Sequence, residues 1–510
     1  MPPYVIKSLP GIKRDGTRLE NGFYVDGQWC RFQRGLPRKM WGYRRLSSDF
    51  TEISRGLSTY NQNGLLYIAS GSAGLVQQVS VNPNGVVTSF SDRTPSGFAT
   101  DPTHLWTFDT AFDAIGVSPG SYLLAHPGKN LAVIDSDATA PLYWGFVNDT
   151  APLTVNTAPA VSGGVVSLYP YTFVYGSSGY VAWSVENNPN DWLSTGSGDA
   201  YITAQKIVAA LPLRAGPGNA PAGLFWSLDS LIRCTFIGGD PVFQFDTLTT
   251  QSSILSSQSV IEYDGIFYWV GVDRFLMFNG VVREIPNQLN QNWFFDNLNY
   301  NQRQKVFAYK VPRFGEIWWC YPRGSATECT HAVIYNLREN TWYDTELPNG
   351  GRSAGKFATV YEFPVLTGIN NSSGGYKLWQ HEYGVDEIDG DALNSIPSYF
   401  QTADVSLVAD QGQPRNKSLR CALIEPDFVQ NGDMTVQITG RANARAPEVT
   451  TTEKVFTDQE DTVEPYQQVV FFKEIRREMR FIFKSNVVGG DYQMGQCIAH
   501  IEPADGTVLG

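Results

Sequence analysis

The sequence predicts an all-β chain, a β-propeller of six or seven blades followed by a C-terminal antiparallel β-sandwich-like domain, and three observations predict it. From Phe50 to about Tyr383 one pattern keeps restarting at a period of roughly 40 to 50 residues: three or four short, aromatic-rich strands with Gly, Asn or Asp turns between them. Almost no stretch carries helical periodicity. Beyond Gly384 the strands lengthen and alternate apolar with polar residues, as antiparallel sheets with one solvated face do. Radial repetition closes sheet edges that a linear array would expose, so many short strands in series point to a propeller.

Residues 1–48 are Gly/Pro-punctuated and basic, and they read as an arm or collar ahead of the first regular strands. The propeller is expected over 49–384. Its strands begin with GLLYIASG (64–71), LVQQVSV (75–81) and GVVTSF (85–90), followed by SYLLAHP, LAVIDSD and APLYW within 121–144. YTFVYGSSGYVAWSVENNPNDW (171–192), GLFWSLDSLIRCTFIG (223–238) and VFQFDTL (242–248) continue them. The clearest unit is Ile261 to Pro286, where Tyr263-Asp264-Gly265 and Phe278-Asn279-Gly280 supply the φ > 0 positions of tight hairpins. A further unit runs from Glu316 to Pro348, with a turn at Asn336 to Asn340 and Trp342 placed to pack between sheets. One helix is expected, Asn287 to Gln304, on the rim. Residues 385–398 read as a linker and 399–510 as the C-terminal domain, with strands at 399–409, 418–428, 433–441, 466–475, 477–485 and 496–503. A polar excursion is expected at 444–465.

The 510 residues carry 38 basic and 50 acidic side chains, a net charge of −12, which argues against a generic basic nucleic-acid binder. The charge is unevenly placed: Met1 to Arg45 hold +7, and the rest of the chain −19, the difference between the two values. No run reaches the roughly 18 apolar residues of a membrane helix, and the start lacks the apolar core of a secretory signal. A soluble protein made in a cytosol is expected. The cysteines, Cys30, Cys234, Cys320, Cys329, Cys421 and Cys497, are scattered, without a CxxC pair, and read as buried thiols.

No catalytic, cofactor or metal site is expected. His104, His126, His331, His381 and His500 show no ligand spacing, and GxSxG, Walker A and GxGxxG segments are absent. GPGNAPAG (216–223) reads as a loop. Asp109, Asp113, Asp191, Asp199, Asp273 and Asp344 would be the carboxylates available to a propeller glycosidase, but Asp in blade turns usually serves the turn itself. Trp269, Trp318, Trp319 and Trp342 lie within strands, where packing is the default. The basic cluster Lys13, Arg14, Arg18, Arg31, Arg34, Arg38, Lys39, Arg44 and Arg45 admits a nucleic-acid reading. The favoured reading is docking onto an acidic partner, because Arg pairs bidentately with carboxylates.

Three segments resemble the tail-hub, or nozzle, proteins of short-tailed bacteriophages, also called packaged-DNA stabilisation proteins. The first is Pro10 to Leu46, with Arg31-Phe32…Gly35…Pro37…Lys39…Gly42. The second is SYFQTADVSLVAD…SLRCALIEPDF, with Glu425-Pro426-Asp427. The third is the close, REMRFIFKSNVVGGDYQMGQCIAHIEPADG, with Met494-Gly495 and Glu502-Pro503…Asp505-Gly506. Met494 and Ala504 stand where the family pattern has arginines. The resemblance implies a homohexameric virion tail ring, assembled in the host cytoplasm, that retains genome DNA and passes it on ejection. It implies as partners a portal-adaptor ring, a tail needle or plug, and fibres or spikes, with duplex DNA threading the channel without specific binding. No enzyme activity, cofactor or membrane insertion is implied. The alternatives are a polysaccharide-degrading propeller and a carbohydrate- or protein-binding propeller. With its lack of strand periodicity and its +7 charge, the segment 1–45 is expected to be dispensable for folding: a chain without it keeps a folded propeller and docks more weakly onto the partner ring.

Overall fold

The computed structural model describes residues 3–17, 22–62, 64–94, 98–114, 120–129, 141–142, 144–146, 153–154, 161–189, 191–213, 220–372, 374–406, 418–443, 445–458 and 469–504. Arg18, the expected LAVIDSD strand, most of the GPGNAP loop, parts of the 444–465 excursion and Asp505-Gly506 lie outside them.

Seven sheets stand in a ring. Blade 1 comprises Gly56–Gln62, Leu65–Gly71, Val76–Val81 and Val87–Asp92. Blade 2 comprises Thr107–Asp113, Gly120–His126 and Trp144–Phe146. Blades 3 and 4 are four-stranded meanders beginning at Gly164–Leu168 and Ile207–Pro212, and blades 5 and 6 begin at Ile261–Tyr263 and Phe307–Val311. Blade 7 comprises Arg352–Ala358, Phe363–Ser372 and Gly375–His381. The first strand of each blade is innermost. That of blade 7 lies against those of blades 6 and 1, those of blades 2, 3 and 4 follow, that of blade 5 lies against that of blade 6, and blades 4 and 5 meet through a shared apolar cluster, so the ring closes.

The turns do what their residues dictate. Asp264 and Gly265, at φ 51° and 79°, form the two-residue hairpin that pairs Tyr263 with Ile266. In blade 6 the Asn336 side chain accepts the amides of Arg338 and Glu339, each at 3.0 Å, and Asn340 takes φ 48° to return the chain. Apolar residues fill the gaps between blades. Trp226 packs on Trp269 between blades 4 and 5, and Phe275 on Trp342 and Trp319 between blades 5 and 6. Trp269, Trp318, Trp319 and Trp342 are all buried. The helix is shorter than its pattern suggests: an α-helix spans Gln291–Asn297 and a 3-10 helix Tyr300–Lys305. Leu298 ends the first in extended conformation, bridging to Arg323, while Phe294 is buried against Phe275 and Tyr321.

The C-terminal strands fall where alternation places them, but they share their sheets with the start of the chain. One sheet orders Tyr4–Val5, Ile498–Ala504, Ser418–Glu425 and Val470–Arg476. A second sets Asp26–Gln28 beside Ser398–Gln401, followed by Glu478–Ser485 and Met434–Arg441. A third orders Phe428–Asn431, Asp491–Met494, Leu36–Lys39 and Cys30–Gln33. Tyr43–Arg45 then leaves this domain and adds to the outer edge of blade 7 against Trp379 to His381.

Residues 1–48 are therefore not a free arm. Four of the short strands within them, Tyr4–Val5, Asp26–Gln28, Leu36–Lys39 and Tyr43–Arg45, pair with strands more than 300 residues away, and Ile6, Ile12, Tyr24, Trp29, Phe32, Met40 and Tyr43 lie in one core with Trp318, Tyr343, Trp379, Phe400 and Phe483. Nor is 385–398 only a linker: Glu387–Asp389 pairs with Tyr43–Arg45, and Ala392–Asn394 pairs back on it.

His381 sits at this junction, stacked on Tyr43 with ring centroids 5.1 Å apart, its Nε2 accepting from Arg352 Nε at 3.1 Å. Burial, with Arg352 adding to it, pushes its pKa well below the usual histidine value. The unfolded chain then binds the proton first, so this contribution to stability is complete above about pH 6.5 and is lost as pH falls, at about 1.4 kcal/mol per pH unit. Between pH 6.5 and 5 the expected loss is about 2 kcal/mol, read as a drop in urea midpoint. His381→Gln should flatten the slope by that amount; an unchanged slope would show that the proton is taken up without unfolding.

Candidate functional site

Four members of the basic cluster nominated for docking, Arg14, Arg31, Lys39 and Arg45, are engaged by groups of the same chain. Arg31 is fully buried, with Nη1 and Nη2 donating to Glu382 at 2.9 and 2.6 Å, Nη2 reaching Glu316 at 3.2 Å, and Nε 3.0 Å from Glu316 Oε1. Its guanidinium lies 3.8 Å from the centroid of Phe314. Burial works against the Arg31 charge, but Glu316 and Glu382 outweigh it and its pKa moves up. Burial also drives the Glu316 carboxyl up, opposed by Arg31 and by bonds from Tyr343 and Trp318.

Arg14 pairs with Asp344 at 3.0 Å and with Asp26; Arg45 pairs with Asp49 at 2.6 Å and Asp389 at 3.1 Å. Lys39 is buried and donates to the Gly490 carbonyl at 2.6 Å, its pKa lowered by burial. Arg38 donates to Gln33 at 2.7 Å, Arg44 stacks on Tyr383, and Lys13 is half-buried. Arg34, at φ 56°, is exposed, its amide held by Glu339 at 2.8 Å. For Arg14, Arg31 and Arg45 the Arg–carboxylate pairing expected toward a partner is made with acidic residues of the same chain.

A second place gathers functional groups: an axial cavity of about 370 Å³ among the innermost strands, lined from all seven blades. Gln258 bridges one side of it, donating to the carbonyls of Arg55 at 2.7 Å and Trp106 at 3.2 Å. Gln258, Arg55 and Trp106 each precede an innermost strand, so these bonds cross the ring where those strands begin. At the same side Glu328 holds both Arg55, at 2.6 and 2.8 Å, and Lys305, at 2.8 Å. The walls are Leu57, Val165, Tyr175, Phe307, Tyr309 and Phe357.

Four charged side chains line the cavity. Asp109 Oδ1 and Oδ2 accept the Thr110 and Ser167 amides, each at 2.8 Å, and burial raises its pKa. Lys310 donates to the Glu262 carbonyl at 3.0 Å and stands 3.6 Å from the Glu262 carboxylate. Lys356 lines the cavity with its side chain exposed to water; the surrounding protein lowers its pKa, with Asp109 opposing. Of the six aspartates considered for hydrolysis, Asp109 alone lines this cavity among the described residues, while Asp344 is bound by Arg14 and Asp273 by Arg274.

Lys356, Lys310, Glu262 and Gln258 were not singled out from the sequence. Each is an isolated polar residue near or within an innermost strand, and only the ring brings them together. The six cysteines are buried free thiols. Among the described residues there is no group of three or more potential metal ligands, and no helix is long and apolar enough to cross a membrane.

No protein-family profile matches the chain, and no curated protein matches it. A solved structure described as BamB from Moraxella catarrhalis is similar over 71% of this chain and 98% of that chain, at 9% identity and a TM-score of 0.36. The seven blades themselves, rather than this likeness, establish the propeller.

Proposed function

We propose that the chain is a structural virion protein, a tail hub or nozzle whose copies form a ring, a homohexamer below a portal-adaptor ring, through which genome DNA is retained and then passed. The observation that carries this reading is that the three family-like segments, at the two ends of the sequence and after the propeller, converge on one domain. Their motif residues also touch each other. The Gly495 amide donates to the Asp427 carbonyl at 2.7 Å and the Gln496 amide to the Asp427 carboxylate at 2.6 Å, and a Cβ at Gly495 would strike that carboxylate. Arg31, Phe32, Pro37 and Lys39 are buried, Gly35 takes φ 75°, and a Cβ at Gly42 would strike the Asp386 backbone. A motif set that works as one structural unit supports a shared architecture rather than chance matches.

The propeller axis is not the DNA path. A bridged cavity of about 370 Å³ is of small-molecule size, so a duplex channel needs several copies and a head-to-tail interface that closes. Electrostatics fits a conduit that does not grip its cargo: −19 lies outside the first 45 residues, and Arg14, Arg31 and Arg45 within them are already paired.

Native mass spectrometry and negative-stain imaging of the chain, alone and with portal and adaptor, should show a closed cyclic assembly. Strict monomers with both partners present would end this reading. Duplex binding by the isolated chain should be no tighter than about 10⁻⁴–10⁻⁶ M at physiological salt; tighter binding with a steep salt slope would contradict the non-gripping channel.

A further inference from the structure

The geometry points to a binding site for a small organic carboxylate in the axial cavity, with Lys356 as its counter-ion. This does not rest on the virion reading, since it concerns the axis of one copy and not a ring of copies.

Three features build the site. The cavity, about 370 Å³, falls in the range of small-molecule pockets and is drawn from the innermost strands of the whole ring, so its shape is as rigid as the propeller. Its other charges are satisfied: Asp109 by two backbone amides, Lys310 by the carbonyl and carboxylate of Glu262. Lys356 differs, with no hydrogen bond or ion pair to any described residue and Asp109 as its opposite charge beyond bonding distance. Its side chain is exposed to the cavity's water, so an anion that enters meets an ammonium with no bonded partner to displace.

The wall chemistry sets the class. Leu57, Val165, Phe307 and Phe357 offer an apolar surface beside the charge, while Tyr175, Tyr309 and the Gln258 region offer polar edges. An apolar body carrying one carboxylate meets both, whereas a multiply charged anion would face Asp109 and Glu262. The carboxylate pairs with Lys356 Nζ and the body lies against Phe307 and Phe357.

The test is amine labelling of the intact wild-type protein with an acetylating ester, mapped by peptide mass spectrometry, with benzoate as probe and benzamide as its neutral counterpart. The reagent attacks the neutral amine, so each pH unit by which a bound carboxylate raises the Lys356 pKa slows its labelling about tenfold. Benzoate is expected to slow labelling at Lys356 and leave exposed lysines such as Lys454 unchanged; benzamide is expected to do neither. Labelling at Lys356 that ignores benzoate, or that benzamide slows equally, overturns the proposal. Calorimetry with Lys356→Gln supplies a second readout: benzoate heat should vanish in the variant, and heat that persists would place the probe elsewhere.

Discussion

Removal of residues 1–45 should unfold the protein rather than release a propeller. The segment supplies strands to three sheets of the C-terminal domain and the outer strand of blade 7. It also buries Ile6, Ile12, Tyr24, Trp29, Phe32, Met40 and Tyr43. At about 1.5–3 kcal/mol for each large apolar side chain, the loss exceeds the roughly 5–15 kcal/mol by which domains are stable. Their former neighbours, Phe400, Phe483, Trp379 and Trp318, would be left facing water. The truncated chain is expected to aggregate or to lose near-UV aromatic circular dichroism and cooperative melting. A sharp transition at the parent temperature would show that the segment is an accessory after all.

The second large effect belongs to Arg31. Arg31→Met removes the one cation from a buried site and leaves Glu316 and Glu382 facing each other. Breaking a buried pair by deleting one partner costs about 3–5 kcal/mol, because the remaining charge keeps its desolvation cost without its counter-ion. Urea denaturation should show that loss. Adding Glu316→Gln and Glu382→Gln to the same chain should recover a large part of it, the coupling expected of groups in one network. A loss below about 1 kcal/mol, as for exposed pairs, would mean that water reaches the cluster.

How much of this was legible in the sequence depended on distance along the chain. Blade turns are written locally: Asp264-Gly265 and the Asn336 to Asn340 loop are adjacent residues whose conformations close a hairpin, and the same holds for the alternating start of the strand Met434–Arg441. Tyr43–Arg45 carries no such sign, since three residues show no period and their partner strand is Gly375–His381. Charge was misleading for a related reason. A run rich in Arg looks free for an outside partner when the carboxylates that neutralise it, Glu316, Asp344 and Glu382, stand some 300 residues downstream. The axial cavity was invisible on the same grounds, as Asp109, Glu262, Lys310 and Lys356 share no spacing and meet only when the ring closes.

The pairing of Tyr4–Val5 with Ile498–Ala504 also bears on how the protein is made. Val5 is made well before its partner Ile498, on the order of 25–100 s earlier at about 5–20 residues per second. During that interval the seven blades already have the strands that close their ring and cover blade 7, while Tyr4–Val5 and Ser418–Glu425 await the strand between them. A ribosome that stalls short of Ile498 therefore releases a chain in which Tyr4–Val5 and Ser418–Glu425 lack the strand that joins them.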